Sequence, residues 1–151
     1  MNMINFQLVT PERTVLSREL TSLSCPTSLG QITILPHHIP LVANLVPGEL
    51  HAKTATDDFF VFVAGGFVEI RPNNQIVVLA DAAEHHFEID QTQAEAAKQK
   101  AEAEMKDRAS MSDQEYAKVS AVLQQSLAKL NIARRHAHRK QSVGNLDSTN
   151  E

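Results

Sequence analysis

A long apolar stretch in the middle of the chain decides its fold. It reads Phe59-Phe60-Val61-Phe62-Val63-Ala64-Gly65-Gly66-Phe67-Val68-Glu69-Ile70, then Arg71-Pro72-Asn73-Asn74, then Gln75-Ile76-Val77-Val78-Leu79-Ala80-Asp81. The β-branched and aromatic residues favour strands. Proline followed by two asparagines is typical of a turn. The stretch therefore predicts two strands, over 59–70 and 75–81, joined as a hairpin.

Two adjacent glycines, Gly65 and Gly66, interrupt the first of these strands. Glycine weakens a strand and usually marks a bulge or a close approach of two backbones. A phosphate-binding loop is the alternative, but it needs a following helix and a Lys-Ser or Lys-Thr pair, and neither is present here. We therefore interpret the glycine pair as a structural bulge or bend.

The rest of the N-terminal part, residues 1–88, also has the pattern of β structure. Ile4, Phe6 and Leu8 alternate with polar residues, which is the period of a half-buried strand. Further short strands are expected over about 20–25, 32–34 and 41–46, with turn signals between them. Many short strands with frequent turns predict a β-sandwich or a barrel.

The pattern changes to that of helices at Asp90. Residues 91–109 are rich in Ala, Glu, Lys and Gln, which are good helix formers. Asp90 is placed to cap the first turn, and Gln93 stands where the partner in a capping box belongs. Small and apolar residues then recur at helical spacing, and these are Ala94, Ala97, Ala101 and Met105.

A second amphipathic helix follows a short polar interruption. Ser112 and Glu115 repeat the capping-box pattern at its start. Its apolar stripe consists of Tyr116, Val119, Leu123, Leu127 and Leu130. The short connection predicts an antiparallel helical hairpin over 89–140, which is thin and needs a neighbour to cover its apolar face. Residues 141–151 lack periodicity and are expected to form a disordered tail. The predicted fold class is therefore α+β in two parts, a β-sandwich followed by an antiparallel α-helical hairpin.

The composition and charge of the chain argue against several classes of protein. The 151 residues are 42% hydrophobic with a net charge of −4, which argues against a strongly basic nucleic-acid binder. Residues 1–88 carry nine acidic and four basic residues, whereas residues 89–151 carry nine acidic and ten basic ones. The lone Cys25 excludes an intrachain disulfide, and its apolar strand predicts a buried, inert thiol. No apolar run approaches the roughly 20 residues of a membrane-spanning helix, and the start lacks the pattern of a secretory signal.

Catalytic and metal-binding patterns are weak. Among the seven histidines, the pairs His37-His38 and His85-His86 are adjacent, and adjacent residues of a strand point to opposite faces. His136 and His138 lie about 200° apart on a helix. A zinc site needs converging ligands, so we expect solvated histidines and no metal. No nucleophile elbow, Walker loop or dinucleotide fingerprint is present, so the chain is not expected to be an enzyme on its own, and no cofactor is expected.

A basic segment, residues 134–140, closes the second helix. It contains Arg134, Arg135, Arg139 and Lys140. Basic residues at a helix C-terminus complement the helix dipole, which is the simplest interpretation. An acidic protein partner is the second interpretation. Nucleic acid or anionic lipid is the third, because the rest of the chain is acidic.

Several short motifs follow one another in the N-terminal part of the chain. They are Gly30, Ile32–Leu35, Pro36-His37-His38-Ile39-Pro40, Val46-Pro47-Gly48, Gly65-Gly66 and Val78-Leu79-Ala80-Asp81. These motifs, in this order, resemble those of the epsilon subunit of F-type ATP synthase. The chain length agrees as well. The resemblance covers roughly residues 4–140 and is strongest from Gly30 to Asp81.

The resemblance implies a non-catalytic subunit of the central stalk, which couples proton flow across the membrane to ATP synthesis. The sandwich would bind the gamma subunit and the c subunits of the rotor ring, through Gln31, Pro36, His38, Pro40 and Gly48. The helical hairpin would be a regulatory arm. It would fold on the sandwich or extend to the catalytic beta subunits and inhibit ATP hydrolysis, with the basic segment on an acidic surface. The implied location is the cytoplasmic face of the bacterial inner membrane, as a peripheral protein held through its partners.

This sequence departs from the family pattern at a few positions. His37 and Thr33 stand where glycine is usual, which leaves a different turn conformation open, and Gln31 replaces a common glutamate. Some relatives bind ATP at an Ile/Leu-Asp-x-x-Arg-Ala motif. The corresponding residues here are Ile89-Asp90-Gln91-Thr92-Gln93-Ala94, with Gln93 in place of the arginine. A neutral amide does not replace a guanidinium against phosphate, so no nucleotide binding is expected.

Two other functions remain open from the residues alone. The first is a non-catalytic adaptor whose sandwich and hairpin bind a different assembly. The second is a small metal-dependent enzyme of the sandwich or barrel class. Recovery of a gamma-type coiled-coil partner separates the stalk subunit from the adaptor, and a metal assay tests the enzyme.

Overall fold

The structure is a computed structural model that describes residues 2–144, with side chains described as far as His136. The chain divides into two compact units, Met1–His85 and His86–Glu151. The first unit is built from ten strands. They are β1 Ile4–Val9, β2 Thr14–Leu20, β3 Ser22–Thr27, β4 Gly30–Ile34, β5 Leu41–Leu45, β6 Gly48–Lys53, β7 Asp58–Val63, β8 Gly66–Arg71, β9 Gln75–Ala80 and β10 Ala83–His85.

The ten strands form two hydrogen-bonded groups that pack around one hydrophobic core. The hydrogen-bonded order is β10-β7-β6-β3-β5-β8-β9-β1-β2, with β4 on the other side of β3. A single residue pair, Thr27 with Leu45, joins β3 to β5 and so joins the two groups. Inward residues of both groups fill one cluster, including Phe6 and Ile76 from one group and Leu23 and Val61 from the other. The predicted β-sandwich is confirmed.

The central stretch forms two strands before its turn rather than one. β7 ends at Val63 and β8 begins at Gly66. The prediction of one continuous strand over 59–70 is therefore wrong, because the structure has two strands there. The cause is the glycine pair, which turns the chain from one group of strands to the other. The second half of the prediction is confirmed, because β8 pairs with β9 in antiparallel register from Gly66–Ala80 to Arg71–Gln75. The asparagines of the intervening turn, Asn73 and Asn74, both have positive φ.

The second unit begins with a 3₁₀ turn, His86–Glu88, followed by α1 Gln91–Met105, a second 3₁₀ turn Arg108–Ser110, and α2 Asp113–Gly144. The Oδ1 atom of Asp90 accepts the N–H of Gln93 at 3.0 Å, which caps α1. Ser112 and Glu115 exchange two hydrogen bonds of 3.2 Å in a complete capping box for α2.

Helix α2 reaches residue 144, so residues 141–144 of the predicted tail are helical. The remainder of the predicted tail lies outside the described residues.

Helix α2 is covered on two sides, whereas the sequence predicted one apolar stripe. Leu130 of that stripe is buried, but Leu127 is 41% exposed because its position is turned about 60° around the helix from that of Leu130. Ile132 is also buried, on nearly the opposite face from Leu130. The 3₁₀ turn His86–Glu88 packs against α2, and α1 packs along it as well. On α1, Ala94 and Ala101 of the predicted stripe are buried.

Candidate docking surfaces

A long segment of the sandwich carries no fixed charge. Residues 20–48 contain no Asp, Glu, Lys or Arg, and their only titratable side chains are Cys25, His37 and His38. We call this segment the uncharged window. Several of its large apolar side chains are exposed, namely Leu29, Leu35, Ile39, Leu41, Val42 and Val46. Exposed apolar surface on this scale is typical of sites that bind another macromolecule.

One end of the window is the tight turn between β3 and β4. The Thr27 hydroxyl donates to the carbonyl of Gly30, and the N–H of Ser28 donates to the carbonyl of Asn44 at 3.0 Å. These bonds hold Leu29 at the apex of the turn, where it is 98% exposed. Gly30 has a φ of 116°, which an L side chain rarely adopts. The turn therefore presents one apolar side chain on a well-fixed backbone.

Two residues predicted at the interface lie beside this turn. Gln31 is exposed and pairs with Pro26 across the β3–β4 ladder. Gly48 is the first residue of β6 and lies next to the same proline. A Cβ atom on Gly48 would approach the Cβ and Cγ atoms of Pro26 to 2.9 Å. Gly48 therefore permits a close approach of backbone to proline ring. We call Leu29, Gln31 and Gly48 the tip.

The opposite end of β4 leads into the turn over residues 36–40. His37 adopts a φ of 68°, the left-handed conformation that glycine favours, so a different turn conformation is ruled out at this residue. Its N–H donates to Oδ1 of Asn74 at 2.6 Å, and the N–H of His38 donates to the carbonyl of Leu35 at 3.2 Å. The hydrogen bond that the His37 N–H donates to Asn74 helps to hold this histidine in the glycine-like conformation.

The predicted interface residues consequently fall in two places. Gln31 and Gly48 lie at the tip, whereas Pro36, His38 and Pro40 lie beyond the other end of β4. Gln31 and Pro36 are five residues apart along β4 and its exit, which is roughly 16 Å at the usual strand rise. A contact with a single small loop of a partner does not span both groups.

A second apolar surface, which sequence reasoning missed, crosses the outer face of β5, β8 and β9. Phe67 lies directly opposite Leu79, and each is 51% exposed. Val42 pairs with Glu69, which places it diagonally across from Phe67, and it is 66% exposed. We call Val42, Phe67 and Leu79 the outer stripe. The sequence of β8 and β9 contained a sign of this surface. Apolar and polar residues do not alternate there, so apolar side chains occupy both faces of the strands.

The glycine pair fixes the position of this stripe. Gly65 and Gly66 have φ values of 132° and 130°. A Cβ atom on Gly66 would clash with the carbonyl oxygen of Leu79 and would approach the Cα atom of Ala80 to 2.9 Å. The N–H of Asp81 donates to the carbonyl of Gly65 at 3.0 Å. The interpretation of the pair as a bend with close backbone approach is confirmed.

Two other sequence predictions concern single side chains. Cys25 is buried as expected, and burial raises the pKa of its thiol to about 12. The carboxylate of Asp90, which matches the ATP motif, is engaged as the cap of α1 through the N–H of Gln93. Both side chains therefore serve the fold.

The basic segment lies on the last third of α2. Arg134 and Arg135 are exposed. Arg139 and Lys140 follow on the same helix, and their side chains lie outside the described part of the structure.

Within the described part of the structure, no three His, Cys, Asp or Glu side chains converge as a metal site would require. No helix among the described residues is long and apolar enough to cross a membrane.

Comparisons with known proteins agree with the resemblance seen in the sequence. Residues 3–86 match the family model described as "ATP synthase, Delta/Epsilon chain, beta-sandwich domain". An ATP synthase epsilon chain of Herpetosiphon aurantiacus is 39% identical over 91% of this chain and 98% of its own length. One from Dehalococcoides mccartyi is 41% identical over 86% of this chain and 91% of its own length.

The fold agrees with a solved structure as well. A chain in the mitochondrial ATP synthase of Euglena gracilis, in an assembly of OSCP, F1 and c-ring, superposes with a TM-score of 0.75 at 18% identity. The match covers 85% of this chain and 79% of that one. The sandwich thus defines a domain of the delta/epsilon class. The match of this domain to the family model and the similarity of the relatives along nearly the whole chain show that this chain belongs to the epsilon-chain family of ATP synthase.

Proposed function

We propose that this chain is a non-catalytic subunit of the central stalk of a proton-driven ATP synthase, and that its helical unit restrains ATP hydrolysis. The observation that carries the proposal is the pair of exposed apolar surfaces on the sandwich, the outer stripe and the tip, within a family whose members are ATP synthase epsilon chains. A sandwich with two such surfaces suits a protein that holds two partners together.

The outer stripe is proposed to bind the gamma subunit. Phe67 pairs directly with Leu79, Val42 lies diagonally across from Phe67, and Asn44 and Glu69 lie beside them. An apolar centre with a polar rim is typical of stable protein–protein interfaces. Aromatic side chains such as Phe67 commonly carry much of the binding energy.

The tip is proposed to meet loops of the c subunits in the rotor ring. Leu29 projects fully from a fixed turn, and its neighbours Gln31 and Gly48 carry no charge. The turn with Pro36, His38 and Pro40 lies apart from the tip and is assigned to contacts at the boundary between gamma and the ring. The location follows from these partners, as a peripheral protein on the cytoplasmic face of the bacterial inner membrane.

The helical unit is proposed to act as the regulatory arm. Arg134 and Arg135 lie exposed on α2, and with Arg139 and Lys140 they give this end of the helix a positive charge. Extension of the arm would bring these residues to an acidic surface of the catalytic beta subunits. Charged contacts of this kind are weakened by salt.

The test is recovery of partners from solubilised membranes with tagged full-length chain, read by mass spectrometry. Wild type is expected to recover the gamma and c subunits. The Phe67→Ser variant is expected to lose gamma, because it removes the centre of the outer stripe. Val122→Ser is the matched control, since Val122 is a similarly exposed apolar residue on α2. Recovery of gamma by Phe67→Ser at the wild-type level would contradict the assignment, and recovery of an unrelated assembly would favour the adaptor.

A further inference from the structure

Arg108, in the turn between the two helices, makes three contacts with a single guanidinium group. Its Nη1 atom donates to the carbonyl of Met111 at 3.2 Å, and its Nη2 atom donates to Oδ1 of Asp113 at 2.8 Å. Its Cζ atom lies over the ring of Tyr116, 4.4 Å from the ring centroid. Arg108 belongs to the second 3₁₀ turn, whereas Asp113 and Tyr116 belong to the first turn of α2. The guanidinium therefore ties the turn to the start of α2.

The backbone between α1 and Arg108 is hydrogen-bonded as well. The N–H of Asp107 donates to the carbonyl of Glu104 at 3.2 Å. The N–H and the hydroxyl of Ser110 both donate to the carbonyl of Asp107, at 3.1 and 3.0 Å. The N–H of Met111 donates to the carbonyl of Arg108 at 3.2 Å. Hydrogen bonds thus run from the last turn of α1 through the turn, and the side chain of Arg108 continues them to α2.

The apolar packing between the helices is thin near this turn. A groove of about 420 Å³ lies between α1 and α2, and its apolar lining consists of Ala97, Ala101, Val119 and Val122. Val122 is 45% exposed. Side chains that line an unfilled groove lack contact atoms on one side, so they gain little dispersion energy there. The polar contacts of the turn therefore matter more at this end of the hairpin than they would beside a well-packed core.

We propose that Arg108 is a clamp that keeps α2 folded back on α1 and so sets how often the hairpin opens. Each contact alone is weak, because Arg108 is half-exposed and Asp113 is almost fully exposed. The cation over the ring of Tyr116 adds a contribution of similar size. All three contacts order the same side chain, so its conformational entropy is lost only once. A lysine at this position lacks the planar fork that makes the three contacts together.

The clamp adds a point of control to the proposed regulatory arm. This step alone rests on the proposed function, because the clamp itself is a property of the isolated chain. In the folded-back hairpin, α2 lies along α1. Release of Arg108 from Asp113 and Tyr116 would leave the thin apolar contact to hold the two helices together, and α2 would separate from α1 more often.

The test is amide hydrogen exchange of the purified full-length chain, read in residues 115–122 of α2 and 101–105 of α1. Arg108→Ala is expected to lower protection about fivefold in both segments, which is the combined effect of an exposed ion pair and an exposed cation–π contact. Arg108→Lys keeps the charge and is expected to lose most of the same protection. Lys106→Ala is the matched control, because it removes an exposed positive charge from the same turn and should leave protection unchanged.

The response of α1 separates opening of the hairpin from fraying of α2. A helix of 15 residues is marginal on its own, so α1 is expected to lose protection when α2 leaves it. Fraying of the first turn of α2 would leave residues 101–105 protected. Strand β9, in the sandwich, is the internal reference and should exchange equally in all variants.

Three outcomes would overturn the clamp. They are unchanged protection in Arg108→Ala, an equal loss in Lys106→Ala, and a loss confined to residues 115–122. None of them bears on the stalk assignment, which the recovery of gamma tests separately. If Arg108→Ala fails to fold, Tyr116→Leu provides the comparison, since leucine is apolar and lacks the ring. A smaller loss of protection in both segments is then expected, and no loss would overturn the clamp.

Discussion

The carbonyl oxygen of Leu79 occupies the space that a Cβ atom on Gly66 would need. This close approach brings β8 tightly against β9 immediately after the bend at Gly65. It also fixes where Phe67 lies, because Phe67 follows Gly66 and stands opposite Leu79. One backbone contact at the end of the β8–β9 ladder thus positions the exposed outer stripe.

Substitution of Gly66 is expected to be strongly destabilising. Gly66→Ala combines a backbone conformation that alanine disfavours with a clash against main chain that has no freedom to move, and we expect a loss of more than about 3 kcal/mol in the free energy of unfolding. Gly30→Ala is the matched control, since Gly30 also has positive φ but has no atom within 4 Å of the added Cβ. We expect it to lose about 1–2 kcal/mol. Urea unfolding measures both, and equal losses would argue against the clash.

The two leucines of α2 are expected to differ in their contributions to stability. Leu130 is 2% exposed, and Leu130→Ala should cost about 2–5 kcal/mol. Leu127→Ala removes the same atoms from a half-exposed position and should cost less than about 1 kcal/mol. Thermal unfolding followed by circular dichroism at 222 nm measures the difference. A larger loss for Leu127→Ala would show that the arm is covered on another face in solution.

The thiol of Cys25 is expected to resist alkylation in the folded chain. Burial raises its pKa to about 12, so the thiolate is nearly absent at pH 8. The unfolded thiol titrates near pH 8.5, so the folded state binds more protons above that value, and stability is lost as pH rises from there. Reaction with iodoacetamide in the presence and absence of urea checks the first point. Rapid labelling of the native chain would contradict it.

The isolated chain is expected not to bind Mg-ATP in the micromolar range. Gln93 lacks the charge of the arginine in the relatives' motif, and Asp90 is already engaged as a helix cap. Titration calorimetry of the purified protein measures binding. If saturable binding is found, Asp90→Ala tests the motif, and Asp107→Ala is the control, because Asp107 makes no capping bond through its side chain. Binding that only Asp90→Ala abolishes would show that another residue replaces the arginine.

The features that the sequence predicted correctly are local ones. The β8–β9 hairpin follows from two apolar strands around Pro72–Asn74, and the caps at Asp90 and Ser112 follow from residues three positions apart. The strand over 20–25 was misplaced, because β2 ends at Leu20 and β3 begins at Ser22. β2 was missed because most of its residues are exposed and alternate poorly. β6 was missed because its inward residues include only Leu50 and the small Ala52.

The candidate sites depend on contacts between distant residues, which a single sequence does not reveal. The conformation of His37 is supported by Asn74, 37 positions away. The outer stripe exists because register places Phe67 opposite Leu79 and diagonal to Val42. Ile132 escaped notice because it belongs to a second buried face of α2, which no single helical stripe describes.

The absence of fixed charge between Leu20 and Gly48 has a consequence for how ionic strength acts on the molecule. Contacts made by apolar and uncharged polar groups are not screened by mobile ions, whereas those of the basic segment on α2 are screened within about 10 Å at 0.1 M salt. Added salt would therefore release the arm from an acidic partner and leave the sandwich attached. Under the proposed function, the chain remains assembled while its restraint on hydrolysis varies with the ionic conditions.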